Sequence, residues 1–155
     1  MMNMDENIID EPSHDLFTPA DRWILSAANT LAKDVTDNMD KFELGIAVQK
    51  VYDFIWDEFC DWYVEMAKFR IYHKEEAPEA ANCALWVLKT VLAQGLKLLH
   101  PFMPFITEEI YGALVPEEES LMMSEWPKYK EEWNFAQDEF VMERVKAVTR
   151  GIRNI

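Results

Sequence analysis

The sequence predicts an all-α protein folded as an up-and-down helical bundle. Half of the 155 residues are hydrophobic but only four are glycine, a composition that suits packed helices better than a turn-rich β fold. In several stretches the apolar residues recur at alternating spacings of three and four, which is the period of an amphipathic helix. Proline and capping residues stand where these stretches begin, as they do at the start of many helices.

The first predicted helix begins after Thr18. Thr18 can cap it, Pro19 suits its first turn, and Asp21 is placed to complete a capping box. A second capping-box pattern over residues 40–43 predicts the start of the longest helix, which should continue to about residue 70. The apolar face of that helix is expected to hold Leu44, Val48, Val51, Ile55, Phe59, Trp62 and Met66.

A proline-set corner follows the third predicted helix. Pro78 suits the first turn of that helix, and Pro101 ends it because proline lacks the N–H that a continuing helix needs. Pro104 then begins a short helix over residues 104–114. His100, just before the corner, is expected to act as a C-terminal cap or as a partner of the helix dipole.

The end of the chain is predicted to cross the bundle and to finish in another helix. Residues 121–126 are expected to be an extended crossing segment. A weak cap signal at residues 134–137 predicts the start of the last helix. The buried stripe of this helix is predicted to be Val141, Val145, Val148, Ile152 and Ile155.

The chain divides into an acidic leader and a helical domain. Residues 1–17 are predicted to be a mobile leader, without the features of a signal or transit peptide, and residues 18–155 to be one domain. No apolar run is long enough to span a membrane. Cys60 and Cys83 fall within helical patterns and are expected to be reduced thiols, with a disulfide between them as the alternative.

The charge of the chain argues against broad nucleic-acid binding but leaves two basic islands. The net charge is −14, whereas phosphate contacts need local positive charge. Any RNA contact would therefore use the islands, although cations near a helix C-terminus also complement its dipole. The first island, within residues 67–74, is Lys68, Arg70 and Lys74, and the second, within residues 144–153, contains Arg144, Lys146, Arg150 and Arg153. We take Lys68, Arg70, Lys74, Arg150 and Arg153 as the candidate RNA-binding residues.

Two further patterns on the long helix have a functional and a structural interpretation. Asp53, Asp57 and Asp61 form an acidic row that could hold a metal, but di-iron bundles need Glu-x-x-His pairs on facing helices. One such pair, Glu11 with His14, occurs, and it lies in the leader. We therefore expect a solvated row and no metal site. The aromatic residues could stack RNA bases, but at this spacing they are expected mainly in the core: Phe54, Trp56, Phe59, Trp62 and Tyr63.

The residues alone suggest no active site. His14, His73 and His100 show neither metal-ligand spacing nor a paired nucleophile, and the chain has no Gly-rich phosphate loop. Cys60 with a distant histidine is too little for a catalytic dyad. We therefore predict no catalytic residue in this chain.

Several separated strings resemble the anticodon-binding domain of class I aminoacyl-tRNA synthetases of the valine, isoleucine and leucine group. The strings are residues 98–111 (Leu-Leu-His-Pro-Phe-Met-Pro-Phe-Ile-Thr-Glu-Glu-Ile-Tyr), residues 21–25, residues 59–63 with Glu65 and Lys68, residues 124–127, and residues 152–154. The string at residues 59–63 is most similar to the valine-specific members of the group. The resemblance covers roughly residues 20–155.

The resemblance implies a cytoplasmic synthetase that joins valine to tRNA(Val) using ATP with Mg. The family's His-x-Gly-His-type and Lys-Met-Ser-Lys-type ATP motifs do not occur in this sequence. The chain is therefore expected to be a non-catalytic, cofactor-free part that positions the anticodon stem-loop, with the remainder of the synthetase in cis. Phe69 stands where the family often has proline, which predicts an extra turn of the long helix.

The family's bundle usually begins with another helix upstream of residue 1. Without that helix the chain is expected to expose a hydrophobic groove, which could drive self-association. Two other functional classes stay open at this point. One is a helical protein-interaction module, favoured by the acidic surface and the expected groove. The other is a bundle enzyme that uses the acidic row, for example with a metal.

Overall fold

In the computed structural model, which describes residues 11–153, the chain is an all-α bundle without a strand in that range. This confirms the predicted fold class. Single 3₁₀ turns occur at His14–Leu16, Leu121–Met123 and Glu131–Trp133. The longer elements are α1 Pro19–Asp40, α2 Leu44–Asp53, a π segment Phe54–Val64, α3 Glu65–Tyr72, α4 Pro78–Leu99, α5 Pro104–Leu114 and α6 Ala136–Arg153.

The predicted capping box at the start of α1 is confirmed. Thr18 Oγ1 accepts a hydrogen bond from the Asp21 backbone N–H at 3.2 Å, and Asp21 Oδ2 accepts one from the Thr18 backbone N–H at 2.8 Å. Two N–H groups that the first helical turn cannot satisfy are thus paired. The predicted starts of α4 at Pro78 and of α5 at Pro104 are confirmed as well.

The second predicted capping box is wrong. Asp40 is the last residue of α1, and α2 begins only at Leu44, with no side-chain hydrogen bond from its N-cap, Glu43. The Glu43 carboxylate instead accepts from Asn38 Nδ2 at 2.7 Å. Between the helices Phe42 adopts a φ of 60°, because the chain reverses direction there within a few residues.

The long helix runs without a break to Tyr72, including the extra turn expected at Phe69, but its centre is a π segment. The buried positions are Ala47, Val51, Phe54, Phe59, Tyr63 and Ala67. The five-residue step from Phe54 to Phe59 follows from π-helical hydrogen bonds, which span five residues instead of four. Of the predicted stripe, only Val51 and Phe59 are buried. Leu44 is 48% exposed, and the other members are partly buried: Val48, Ile55, Trp62 and Met66.

The three longest helical stretches run up, down and up. Asp34 accepts from Lys50 Nζ at 3.0 Å near one end of α1, and Asp21 accepts from the Tyr63 hydroxyl at 2.5 Å near the other. These two pairs make α1 antiparallel to the stretch from α2 to α3. α4 runs alongside α1. Gln94 Nε2 of α4 donates a hydrogen bond of 3.2 Å to the Ala28 carbonyl of α1. α5 folds back onto the end of α4.

A return segment, residues 115–135, crosses back along α1 and closes the bundle. The crossing predicted for residues 121–126 is present, although its first three residues form a 3₁₀ turn rather than extended chain. The contacts with α1, in chain order, are Trp126 Nε1 to Thr36 Oγ1 at 2.9 Å, Lys130 with Asn29 in two hydrogen bonds of 2.7 Å, and the Phe135 N–H to Ser26 Oγ at 2.9 Å.

The segment predicted to be a mobile leader lies mostly outside the described residues. Within its described part, Phe17 is 4% exposed and stacks on Trp86 with ring centroids 5.9 Å apart. The packed core therefore includes Phe17, one residue before the predicted domain boundary.

The predicted buried stripe of α6 is wrong. Val141, Val145, Val148 and Ile152 are 41–67% exposed, and Ile155 lies outside the described residues. The residues that α6 buries are Met142 and Lys146. The helix packs on α1 through this neighbouring face because a carboxylate of the π segment holds Lys146 there. An apolar face of α6 is thus left open, and it is defined here as Val141, Val145, Val148 and Ile152.

Candidate nucleic-acid interface

Arg70, a candidate of the first island, is the centre of a buried charge cluster. Its guanidinium donates to both carboxylate oxygens of Asp21, from Nη1 at 2.8 Å and from Nη2 at 2.5 Å. The Arg70 side chain is 15% exposed and that of Asp21 is fully buried. This two-bond geometry joins α3 to the start of α1 and gives Arg70 a structural role in the fold.

The electrostatics of the cluster keep Asp21 ionised. Burial alone would raise the pKa of Asp21, but hydrogen bonds from Arg70 and Tyr63 outweigh it and hold that pKa below its ordinary value. Burial and the neighbouring Asp21 raise the pKa of the Tyr63 hydroxyl. The same two causes raise the pKa of Cys83 to about 11, so its thiol is neutral at physiological pH. Cys60 and Cys83 are both free, which excludes the disulfide that the sequence left open.

The other two members of the first island lie near the surface. Lys68 is 44% exposed and pairs with Glu65, one turn earlier, and this hydrogen bond raises the pKa of Lys68. Lys74 is exposed in the turn that follows α3. Both ammonium groups can therefore be reached by a phosphate, whereas most of the Arg70 guanidinium cannot.

Arg150 and Arg153, the two candidates of the second island, are exposed on the last turn of α6. The Arg153 guanidinium is 5.9 Å from the centroid of the Trp62 ring. Trp62 belongs to the π segment, six residues before Lys68 on the same continuous helix. The structure therefore places the second island beside the helix that carries the first.

Lys146, which the sequence grouped with the second island, is not a surface cation. It is 1% exposed, and its Nζ donates to Glu58 Oε1 at 2.9 Å and to Oε2 at 2.6 Å. It also pairs with Glu143 and lies 5.0 Å from the Trp23 ring centroid. Lys146 therefore joins α6 to the π segment and to α1.

The acidic row lies at the surface, as its structural interpretation predicted, but one of the aromatic residues expected in the core does not lie there. Asp53, Asp57 and Asp61 are exposed, and in residues 11–153 no group of three or more His, Cys, Asp or Glu side chains could hold a metal ion. Phe54, Phe59 and Tyr63 are core residues and Trp62 is partly buried. Trp56 differs from them, because it is 53% exposed and has Tyr52 beside it.

A third cationic surface, which no pattern in the sequence indicates, lies between α4 and the return segment. Its walls carry Lys89, Lys97, Lys128 and Lys130, and these four residues define the lysine groove. Two of them come from α4 and two from the return segment, so they form no local basic run. Only the packing of the return segment over the bundle brings them together.

The corner motif that carries the resemblance is held by one side-chain pair. His100 Nδ1 lies 2.8 Å from Thr107 Oγ1, and Thr107 is fully buried. The Thr107 hydroxyl lies 2.9 Å from the Met103 carbonyl, to which it donates. His100 Nδ1 therefore carries the proton and donates to Thr107. His100 thus bridges the corner from α4 to α5, rather than capping α4 alone.

The fold and the sequence strings together place the chain in a known family. Residues 21–155 match the family described as the anticodon-binding domain of tRNA ligase, and the chain belongs to that family. This confirms the resemblance inferred from the sequence. In residues 11–153, no helix is long and apolar enough to cross a membrane.

The similar curated proteins include valine–tRNA ligases from several bacteria. The ligases of Clostridium acetobutylicum and Clostridium perfringens are 47% and 48% identical to this chain over 156 aligned positions. That of Bacillus anthracis is 42% identical over 158 positions. Each alignment covers 100% of this chain and 18% of the relative, so the chain spans about a fifth of the length of these proteins.

Proposed function

We propose that this chain is the tRNA-binding domain of a valine–tRNA ligase and that it holds the anticodon stem-loop of tRNA(Val). The observation that carries the proposal is the similarity to valine–tRNA ligases along the whole chain, within a family of anticodon-binding domains. Other domains of the longer protein would join valine to the tRNA with ATP and Mg²⁺. This domain would bind no cofactor and would contribute no bond chemistry, and the enzyme would work in the cytoplasm.

The proposed RNA contacts are four of the five candidate residues of the two basic islands: Lys68, Lys74, Arg150 and Arg153. Lysine and arginine contacts to phosphates position an RNA without reading its sequence. Their exposure and the position of Arg153 beside the helix of Lys68 support a shared surface. Arg70 remains a candidate, but we expect its effect on RNA binding to come mainly through the fold, since its guanidinium is already paired with Asp21.

The test measures binding of labelled tRNA(Val) and tRNA(Ile) to the full-length ligase over a series of salt concentrations. We expect tRNA(Val) to bind more tightly. The double variants Lys68→Ala/Lys74→Ala and Arg150→Ala/Arg153→Ala should each reduce the slope of log K against log salt by about 1.5. Lys41→Ala/Lys50→Ala removes the same charge elsewhere and serves as the matched control. Island variants that behave like this control would rule out the islands as the contact surface.

The partners of the open face of α6 form a separate part of the proposal. The relatives are about five times longer than this chain, and other domains of such a protein would cover this face in cis. Residues 18–155, with Phe17 packed onto their core, would be the helical domain, and the residues before Phe17 would be its leader. In the isolated chain the uncovered valines and Ile152 would drive self-association.

Sedimentation of the isolated chain tests this part of the proposal. Val148→Glu, at a position 63% exposed, should abolish a concentration-dependent dimer. Thr149→Glu, which adds the same charge one residue away, should leave the dimer in place. A chain that stays monomeric at high concentration would contradict self-association through α6.

A further inference from the structure

We propose that the lysine groove binds the phosphate backbone of the same RNA, through residues distinct from the two basic islands. This inference rests on the proposed tRNA-binding function and adds to it a contact surface on α4 and the return segment. Four of the fifteen lysine and arginine residues of this acidic chain line the groove.

The sign of the charge distinguishes this groove from two others on the surface. A groove between α1, α2 and α6 is lined by six acids and a single base, Lys50. A groove at the corner is lined by Glu108, Glu109 and His100 among other residues. The lysine groove carries four lysines against Glu117, Glu118 and Glu125, a net charge of +1. A strand of phosphates is repelled by the first groove and attracted by the lysine groove.

The walls of the groove hold the lysine side chains in place. Lys130 Nζ lies 4.3 Å from the centroid of the Trp133 ring, and Lys97 Nζ lies 5.5 Å from that of Tyr111. An ammonium over a ring face keeps N–H donors directed away from the ring. Lys89 and Lys97 are eight residues apart on α4, about 12 Å along the helix. That distance spans several consecutive phosphates of one strand.

One of these lysines, Lys89, forms an ion pair with Glu117. The Glu117 carboxylate accepts from Lys89 Nζ at 2.8 Å, and the Glu117 side chain is 59% exposed. A carboxylate is held here at a position that a phosphate oxygen could take. Although the Lys89 side chain is 21% exposed, the Glu117 carboxylate reaches solvent. The ion pair is therefore partly screened, and RNA can displace Glu117. Removing the Glu117 charge should therefore strengthen RNA binding.

The first arm of the experiment looks for this gain. Binding of a labelled tRNA(Val) transcript to the full-length protein is compared for the wild type, Glu117→Gln and Glu119→Gln. Glu119 is exposed in the same turn but does not line the groove, so its variant makes the same charge change. We expect Glu117→Gln to tighten binding about two- to five-fold and Glu119→Gln to have a smaller effect. A misfolded protein would not bind more tightly.

The second arm removes cations from the groove. Lys128→Ala/Lys130→Ala should reduce the slope of log K against log salt by about 1.5, the value for two lost phosphate contacts. Lys41→Ala/Lys50→Ala is again the matched control. Circular dichroism spectra verify that each variant keeps its helix content.

The outcomes separate the two proposals. If wild-type protein shows no preference for tRNA(Val), the proposed function fails and the groove proposal fails with it. If wild-type protein prefers tRNA(Val) while both groove variants match their controls, the groove proposal alone is overturned. Competition by polyglutamate as strong as by RNA at equal charge would also overturn it, because the groove would then take any polyanion.

Discussion

Lys146 Nζ donates to both carboxylate oxygens of Glu58, at 2.9 and 2.6 Å, although the Lys146 side chain is only 1% exposed. The pair fixes α6 against the π segment, and it turns the apolar face of α6 towards the surface. A charged residue thus determines which side of this amphipathic helix is buried.

The two partners of this pair should respond differently to substitution. Glu58→Ala should destabilise the fold by about 2–3 kcal/mol, because it leaves Lys146 buried with only the exposed Glu143. Lys146→Met keeps the packing volume and should cost about 1 kcal/mol or less. Urea unfolding measures both. Lys50→Met, at the exposed pair with Asp34, is the control and should change stability by at most about 0.5 kcal/mol. Equal losses for Glu58→Ala and Lys146→Met would contradict this account.

Asp21→Asn should destabilise the fold more than a change at any of the other ion pairs. It removes the counter-charge of Arg70 and weakens the capping box of α1, so we expect a loss of about 3–5 kcal/mol in the free energy of unfolding. Asp138→Asn, which breaks the more exposed pair with Arg22, should cost about 1 kcal/mol or less. Thermal and urea unfolding of both variants provide the comparison. A loss at Asp21 no greater than at Asp138 would show that the cluster is not a main support of the fold.

The Asp21 cluster also predicts a pH dependence of stability. The pKa of Asp21 is lower in the folded protein than its unfolded value of about 3.9. Its contribution is therefore fully present above that unfolded pKa and is lost as the pH falls through the folded pKa. Tyr63→Phe removes one hydrogen bond to the carboxylate and should cost about 1.5–3 kcal/mol at neutral pH. The difference from wild type should shrink in acid. A difference that persists at a pH where Asp21 is protonated in both folded proteins would contradict the assignment to Asp21.

The His100–Thr107 pair predicts a specific effect at the corner. Thr107→Val removes a buried hydroxyl that both accepts from His100 and donates to the Met103 carbonyl, and it should cost about 1–3 kcal/mol. Thr107→Ser keeps the hydroxyl and should retain most of this stability. A double-mutant cycle with His100→Ala isolates the pair. A coupling energy near zero would mean that His100 does not support the corner.

The local sequence signals were sufficient wherever neighbouring residues decide the structure. The capping box at Thr18 and Asp21 and the helix starts at Pro78 and Pro104 depend on hydrogen bonds within one turn and on the fixed φ of proline. The capping box and these helix starts could therefore be predicted from the sequence, as could the fold class and the family. The capping box predicted at residues 40–43 is absent because these residues form the chain reversal at Phe42. The packing of α2 on α1 requires this reversal.

The tertiary structure alone decided which side chains are buried and which cations are available. The five-residue step from Phe54 to Phe59 and the outward stripe of α6 depend on contacts with other helices, so periodicity along one segment could not reveal them. Arg70 and Lys146 belong to basic runs in the sequence. In the fold, however, Arg70 pairs with Asp21 and Lys146 pairs with Glu58, and both carboxylates are distant along the chain. The lysine groove is the converse case, because the fold brings together lysines of α4 and the return segment that form no basic run in the sequence. The physical reason is the same in each case: a charge acts through space, and the sequence records only its neighbours along the chain.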